Sequence, residues 1–87
     1  MENIVPDWFS EDKVTNTYDT REMLVGGGHP VAKVLEDLAY FEAGDIYELV
    51  TPFLPAPLLD KVKAQGFDCW AKKEYDSLFR NYFCRIK

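Results

Sequence analysis

The sequence predicts an α+β fold: a two-layer α/β sandwich of order β-α-β-α-β-β, with a four-stranded mixed sheet and both helices on one face. Three observations predict it. Apolar stretches with helical spacing alternate with short runs of β-branched and aromatic residues. Each helical stretch opens at a proline and closes near a glycine, Pro30 with Gly44 and Pro57 with Gly66. The final residues read as two strand-like runs around a short polar turn. Two right-handed crossovers in one direction then place both helices on the same side of the sheet.

Each element has its own justification. Residues 1–13 read as an arm: Pro6 opposes regular structure, yet Ile4, Val5, Trp8 and Phe9 are too apolar for a free tail, so the arm is expected to pack on something. Residues 14–87 form the domain proper. Val14 to Asp19 is the first strand by its β-branched and aromatic content. Residues 20–28 form a loop ending in Gly26, Gly27 and Gly28. Pro30 suits the first turn of a helix, because its fixed φ fits and its missing N–H is one a helix cannot use there. Val31, Val34, Leu35 and Leu38 follow at i, i+3, i+4 and i+7, which predicts a helix over 30–41. Ala43, Gly44 and Asp45 stop it, and residues 46–51 form the second strand. Pro52, Pro55 and Pro57 exclude a central strand or helix interior across 51–57. Pro57 opens the second helix, which runs to Gln65 before Gly66. The third strand is predicted at 67–73, the turn at 74–77 and the fourth strand at 78–86.

A two-residue hairpin loop at Asp76 and Ser77 sets Tyr75 opposite Leu78. That register pairs Asp68 with Arg85, Trp70 with Phe83 and Cys69 with Cys84; a four-residue loop separates the cysteines. With the Cys69 side toward the helices, Trp70, Phe79 and Phe83 face away. Such an aromatic stripe on the open face asks for a cover, either the arm through Trp8 and Phe9 or a second copy forming a homodimer. The two cysteines read as buried thiols in a reducing compartment, as a redox pair or, with less support from spacing, as metal ligands.

The chain has 87 residues, with 47% hydrophobic and 29% charged, which is globular composition for one domain. No apolar run approaches the roughly 18 residues that span a bilayer, and no basic stretch leads an apolar run at the N-terminus. The expectation is a cytoplasmic protein with no membrane association. A net charge of −5 disfavours nucleic acid as a partner. The charge is uneven. Residues 1–48 hold 11 acids and three bases, whereas 49–87 hold four acids and seven bases. A basic face around Lys61, Lys63, Lys72 and Lys73 is a candidate for meeting an acidic partner.

The segment richest in chemistry runs from Asp19 to Pro30. It follows a strand and opens a helix, whose N-terminal N–H groups favour anions. Its glycines permit close approach to the backbone. His29 is the only histidine. The candidate ligand- or partner-binding residues are therefore Asp19, Arg21, Gly27, Gly28, His29 and Pro30. A metal or haem is the alternative occupant, with His29 as candidate ligand beside Asp19, Glu22 or Met23. The glycine triplet fits neither dinucleotide nor P-loop fingerprints. Neither Ser10 nor Ser77 sits in a nucleophile elbow.

The sequence resembles the SirA/TusA-like family, closest to its branch of unknown function. The stretches that carry the resemblance are Gly28-His29-Pro30-Val31, Ala43-Gly44-Asp45-Ile46-Tyr47-Glu48-Leu49 and Pro52-Phe53-Leu54-Pro55-Ala56-Pro57-Leu58-Leu59, over roughly 14–87. Sulfur-carrier members hold a Cys-Pro-x-Pro motif whose cysteine carries persulfide. Here His29 aligns with that cysteine, Pro30 with its first proline and Ala32 with its second. Imidazole cannot carry persulfide, so sulfur transfer is not implied for this chain. Some relatives occur fused to hemerythrin-like or other redox-associated domains. The resemblance thus implies a small non-enzymatic module that binds a protein partner or a small anionic ligand in redox- or sulfur-related physiology.

Overall fold

The computed structural model describes residues 5–21 and 31–86. Its strands are β1 (Val14–Asp19), β2 (Ile46–Thr51), β3 (Phe67–Tyr75) and β4 (Leu78–Arg85); its helices are α1 (Val31–Leu38) and α2 (Ala56–Ala64). A single 3-10 turn, Glu11–Lys13, leads into β1. The sheet order is β1-β2-β4-β3, with β1 parallel to β2, and β4 antiparallel to both β2 and β3. The fold is therefore the predicted mixed α+β arrangement. β2 and β3 point the same way, but β4 lies between them.

The helices are set by their apolar spacing. Val34 and Leu38 are fully buried on α1, Leu58 and Val62 on α2. Lys33 and Asp37, one turn apart on α1, form an ion pair at 3.0 Å. The first helix is shorter than its predicted span. After Leu38 the backbone tightens into i→i+3 bonds, with the Tyr40 and Phe41 N–H groups donating to the carbonyls of Asp37 and Leu38. Gly44 and Gly66 adopt φ of +95° and +92°, which an L side chain rarely adopts. On the helix side, Val34, Leu38, Leu49, Leu58, Val62, Tyr47 and Phe83 form the main core.

The hairpin differs from the expected register. Tyr75 does oppose Leu78, but a bulge between Lys73 and Tyr75 shifts every later pair by one residue. Cys69 therefore opposes Phe83, Asp68 opposes Cys84 and Trp70 opposes Tyr82. Because strand side chains alternate, the cysteines lie on opposite faces: Cys69 packs with the helix-side core and Cys84 with the arm-side cluster. Phe83 belongs to the helix-side core, and Phe79 opens on that side too, so neither joins the outer stripe.

The outer stripe consists instead of Trp70 and Tyr82, stacked at 5.4 Å between ring centroids. The arm covers it. The Phe9 ring sits edge-on to both, 4.8 Å from Trp70 and 4.6 Å from Tyr82. The Trp8 indole Nε1–H donates to Asp68 Oδ2 at 2.7 Å, which pins the arm at the far strand.

Candidate functional site

The carboxyl end of β1 carries the described part of the predicted site. The Arg21 guanidinium donates to Asp19 through Nε and through Nη2, the latter at 2.6 Å to Oδ2. The Arg21 backbone N–H also donates to Asp19 Oδ1 at 3.0 Å. Two residues apart, the pair closes a tight charged loop at the point where the chain leaves the sheet. The hydrogen bonds from Arg21 hold the Asp19 carboxyl below the usual carboxylate range. Both side chains remain about half exposed. The structure thus brings Asp19 and Arg21 together. Glu22, Met23, Gly26, Gly27, Gly28, His29 and Pro30 lie outside the described residues.

Beneath that exit point lies a polar layer that sequence reasoning missed. Thr20, Thr51 and Asn81 are the buried polar residues among those described, each 1% exposed or less. They gather where β1 and β2 end. Thr20 Oγ1 donates to the Val50 carbonyl at 2.8 Å, and Thr51 Oγ1 to that of Phe53 at 2.6 Å. Asn81 Nδ2 donates to the Leu49 carbonyl and to Thr51 Oγ1, both at 3.0 Å. Those two bonds fix the amide orientation, and Asn81 Oδ1 then accepts no hydrogen bond among the described residues. A buried acceptor without a donor costs about 1–3 kcal/mol, so this atom calls for an explanation. The available signal was an asparagine at an alternating, inward-facing strand position, two residues from Phe79 and from Phe83.

A second polar region occupies the outer face beside the arm, a basin of about 440 Å³. Glu48 is its centre. It accepts from Tyr82 Oη at 2.8 Å, from Thr17 Oγ1 at 3.0 Å and from Arg80 Nη1 at 3.4 Å. Arg80 Nε donates to Glu74 at 2.8 Å, so the guanidinium bridges two carboxylates. Burial, reinforced by the bond to Glu48, raises the Tyr82 phenol and keeps it protonated. Glu48, Arg80 and Glu74 are all paired, which makes them a clamp between β1, β2, β3 and β4, while Glu11 lines the rim.

Neither thiol is poised for chemistry. Burial pushes the Cys69 thiol up to about 12, and burial also raises that of Cys84. A nucleophilic or sulfur-carrying cysteine needs a lowered value in an electropositive, accessible setting. Among the described residues, no three His, Cys, Asp or Glu side chains come together as a metal-ligand set. No described helix is long and apolar enough to cross a membrane. No family model, curated protein or solved structure matches the chain.

Proposed function

We propose that this chain is a non-enzymatic, SirA/TusA-like binding module that takes a small anionic ligand or a protein partner where the β1–α1 connection meets the sheet. The observation that carries the reading is the buried Asn81 Oδ1 of the Thr20–Thr51–Asn81 layer, an acceptor without a donor among the described residues, which an N–H or O–H of the occupant would satisfy. In sheets with parallel crossovers, ligands favour the carboxyl ends of the strands, where loops converge on helix N-termini. Here the same strand ends carry buried polar residues on the helix side and the Asp19–Arg21 pair at the chain's exit, with His29 on the connection that follows. The cysteines support the non-enzymatic half of the reading, because burial holds both thiols protonated. The element order supports the SirA/TusA-like half.

The test is a two-dimensional NMR titration of the full chain with phosphate, sulfate, haem, and zinc, iron and copper salts, one at a time. The expected result is saturable shifts at residues 19–21, at 29–34 and at the Asn81 side-chain amide, lost in His29→Ala. A response to haem or a metal alone moves the assignment to the His29 metal reading. Silence from every addition, together with a partner-capture profile that His29→Ala leaves unchanged, overturns the assignment.

A further inference from the structure

On the far side of the sheet, β3 is an edge strand. Among the described residues its only strand partner is β4. Its outer edge therefore presents backbone N–H and C=O groups for pairing with another chain. Beside that edge, on the helix side, runs an open groove of about 450 Å³ walled by Leu54, Leu59, Cys69, Ala71 and Phe79. Leu54 and the neighbouring Phe53 are each about half exposed. Two lysines complete the wall, Lys63 from α2 and Lys73 from β3. Lys63 has no carboxylate within ion-pair distance among the described residues, and Lys73 reaches only the fully exposed Asp76, at 3.8 Å. On the opposite face of the same strand stands Lys72, which lies 3.7 Å from Glu74, a carboxylate already bonded to Arg80.

We infer that the β3 edge and its groove receive an extended acidic segment of a partner protein, added as a fifth strand with apolar side chains in the groove. The backbone edge supplies sequence-independent hydrogen bonds, and the groove reads alternate residues. Charge complementarity selects the occupant. Acidic residues flanking the apolar ones reach Lys63 and Lys73, and an acidic residue on the other face reaches Lys72. A second copy of this chain is the wrong occupant, because two such lysine-bearing edges repel each other. The open groove also fits a strand better than a small molecule, whose sites enclose most of the ligand. This site is separate from the β1–α1 connection, so either assignment can fail alone.

The probe is a capped heptapeptide, Glu-Thr-Leu-Glu-Leu-Thr-Glu, palindromic so that either strand direction presents the same face. Added to the full chain, it is expected to shift the amides of 69–73 saturably and leave 19–21 unmoved. Lys63→Glu with Lys73→Glu weakens it by about tenfold or more, and a peptide with lysine at every glutamate position rescues binding to that variant. N-methylation of the backbone at the fourth and fifth peptide residues together abolishes binding, since in either strand direction one of two adjacent N–H groups faces β3 and is lost as a ladder donor. Circular dichroism of the variant checks that it folds. The inference is overturned by no shift along β3, by binding that survives the double N-methylation, by decanoate competing with the peptide at equal concentration, or by β3 shifts that track self-association in sedimentation.

Discussion

Asn81 is the residue on which local chemistry and the binding proposal meet. Its amide donates twice into the end of β2, and its oxygen accepts nothing among the described residues. Replacing the amide by a carboxylate removes both donors and buries a charge against two acceptors. Asn81→Asp is therefore expected to lose about 3 kcal/mol or more at pH 7 in urea unfolding. The folded pKa of that new carboxyl must lie above its unfolded value, because burial disfavours the ion. Its deficit is smallest below about pH 4 and grows as pH rises through the unfolded value, so acidification should recover part of the loss. Equal destabilisation at pH 3.5 and pH 7 contradicts this account. Cys69 gives a second residue-scale expectation. A thiol lifted from 9.0 to about 12 has about a thousandfold less thiolate near neutrality. Native alkylation of Cys69 at pH 8 should fall short of the rate in urea by a comparable factor. Rapid native labelling at that position would restore a reactive-thiol reading.

Among the elements, the spans of β1 and β2 and the turns at Gly44 and Gly66 were legible because periodicity and turn chemistry speak locally; the place of β4 between β2 and β3 was not. β1 and β2 begin and end where β-branched content and glycine place them. The register of β3 was not legible. One bulged residue, Glu74, has no glycine and no sequence mark, and its side chain is drawn out to Arg80 at 2.8 Å. That single residue moves Cys69 from opposite Cys84 to opposite Phe83, on the other face from Cys84. The consequence is checkable. Air-oxidised protein, denatured without reductant, should titrate with two free thiols; one intramolecular disulfide there would mean the unbulged register. The arm was legible as a cover for the outer aromatic face, with Trp70 in its seat; Tyr82 was not, because it joins Trp70 on that face only in the observed register. Phe9→Ala removes a half-buried ring that touches both. It should cost about 1–3 kcal/mol and raise exposure of the outer face to hydrophobic dyes. Unchanged stability would mean that the arm does not hold this face. Of the candidate site, Asp19 and Arg21 were legible from their place at a strand end. The buried polar floor was not, because it assembles residues from β2, β4 and the end of β1 that are distant in sequence.

For the whole molecule, the buried phenols predict where the fold fails with pH. Tyr47 is 1% exposed and Tyr82 4%. Burial, followed by the bonds to Asp37 and Glu48, raises both phenols above their ordinary value of 10.0. Burial raises Cys69 in the same direction. A group whose folded pKa exceeds its unfolded one stabilises the native state fully below the unfolded value, and that contribution disappears as pH rises toward the folded value. Stability should therefore owe no pH dependence to these groups up to about pH 9. Above pH 10 each phenol withdraws about 1.4 kcal/mol per pH unit, because the unfolded chain releases a proton that the native chain keeps. A domain of this length holds about 4–13 kcal/mol in total, and two phenols and one thiol withdraw about 10 kcal/mol by three units above pH 9, enough to unfold it across all but the top of that range. Both phenols pin the core from opposite faces of the sheet, Tyr47 under α1 and Tyr82 under the arm, so the loss should be cooperative. Tyrosinate absorbance from these rings should appear together with the loss of tryptophan fluorescence structure, in one alkaline step. Tyr47→Phe and Tyr82→Phe should each flatten the fall in urea midpoint above pH 10 while leaving its neutral-pH plateau lower by about 1 kcal/mol, the loss of one hydrogen bond. Ionisation of both buried rings in a still-folded protein would break the link between burial and alkaline stability on which this rests.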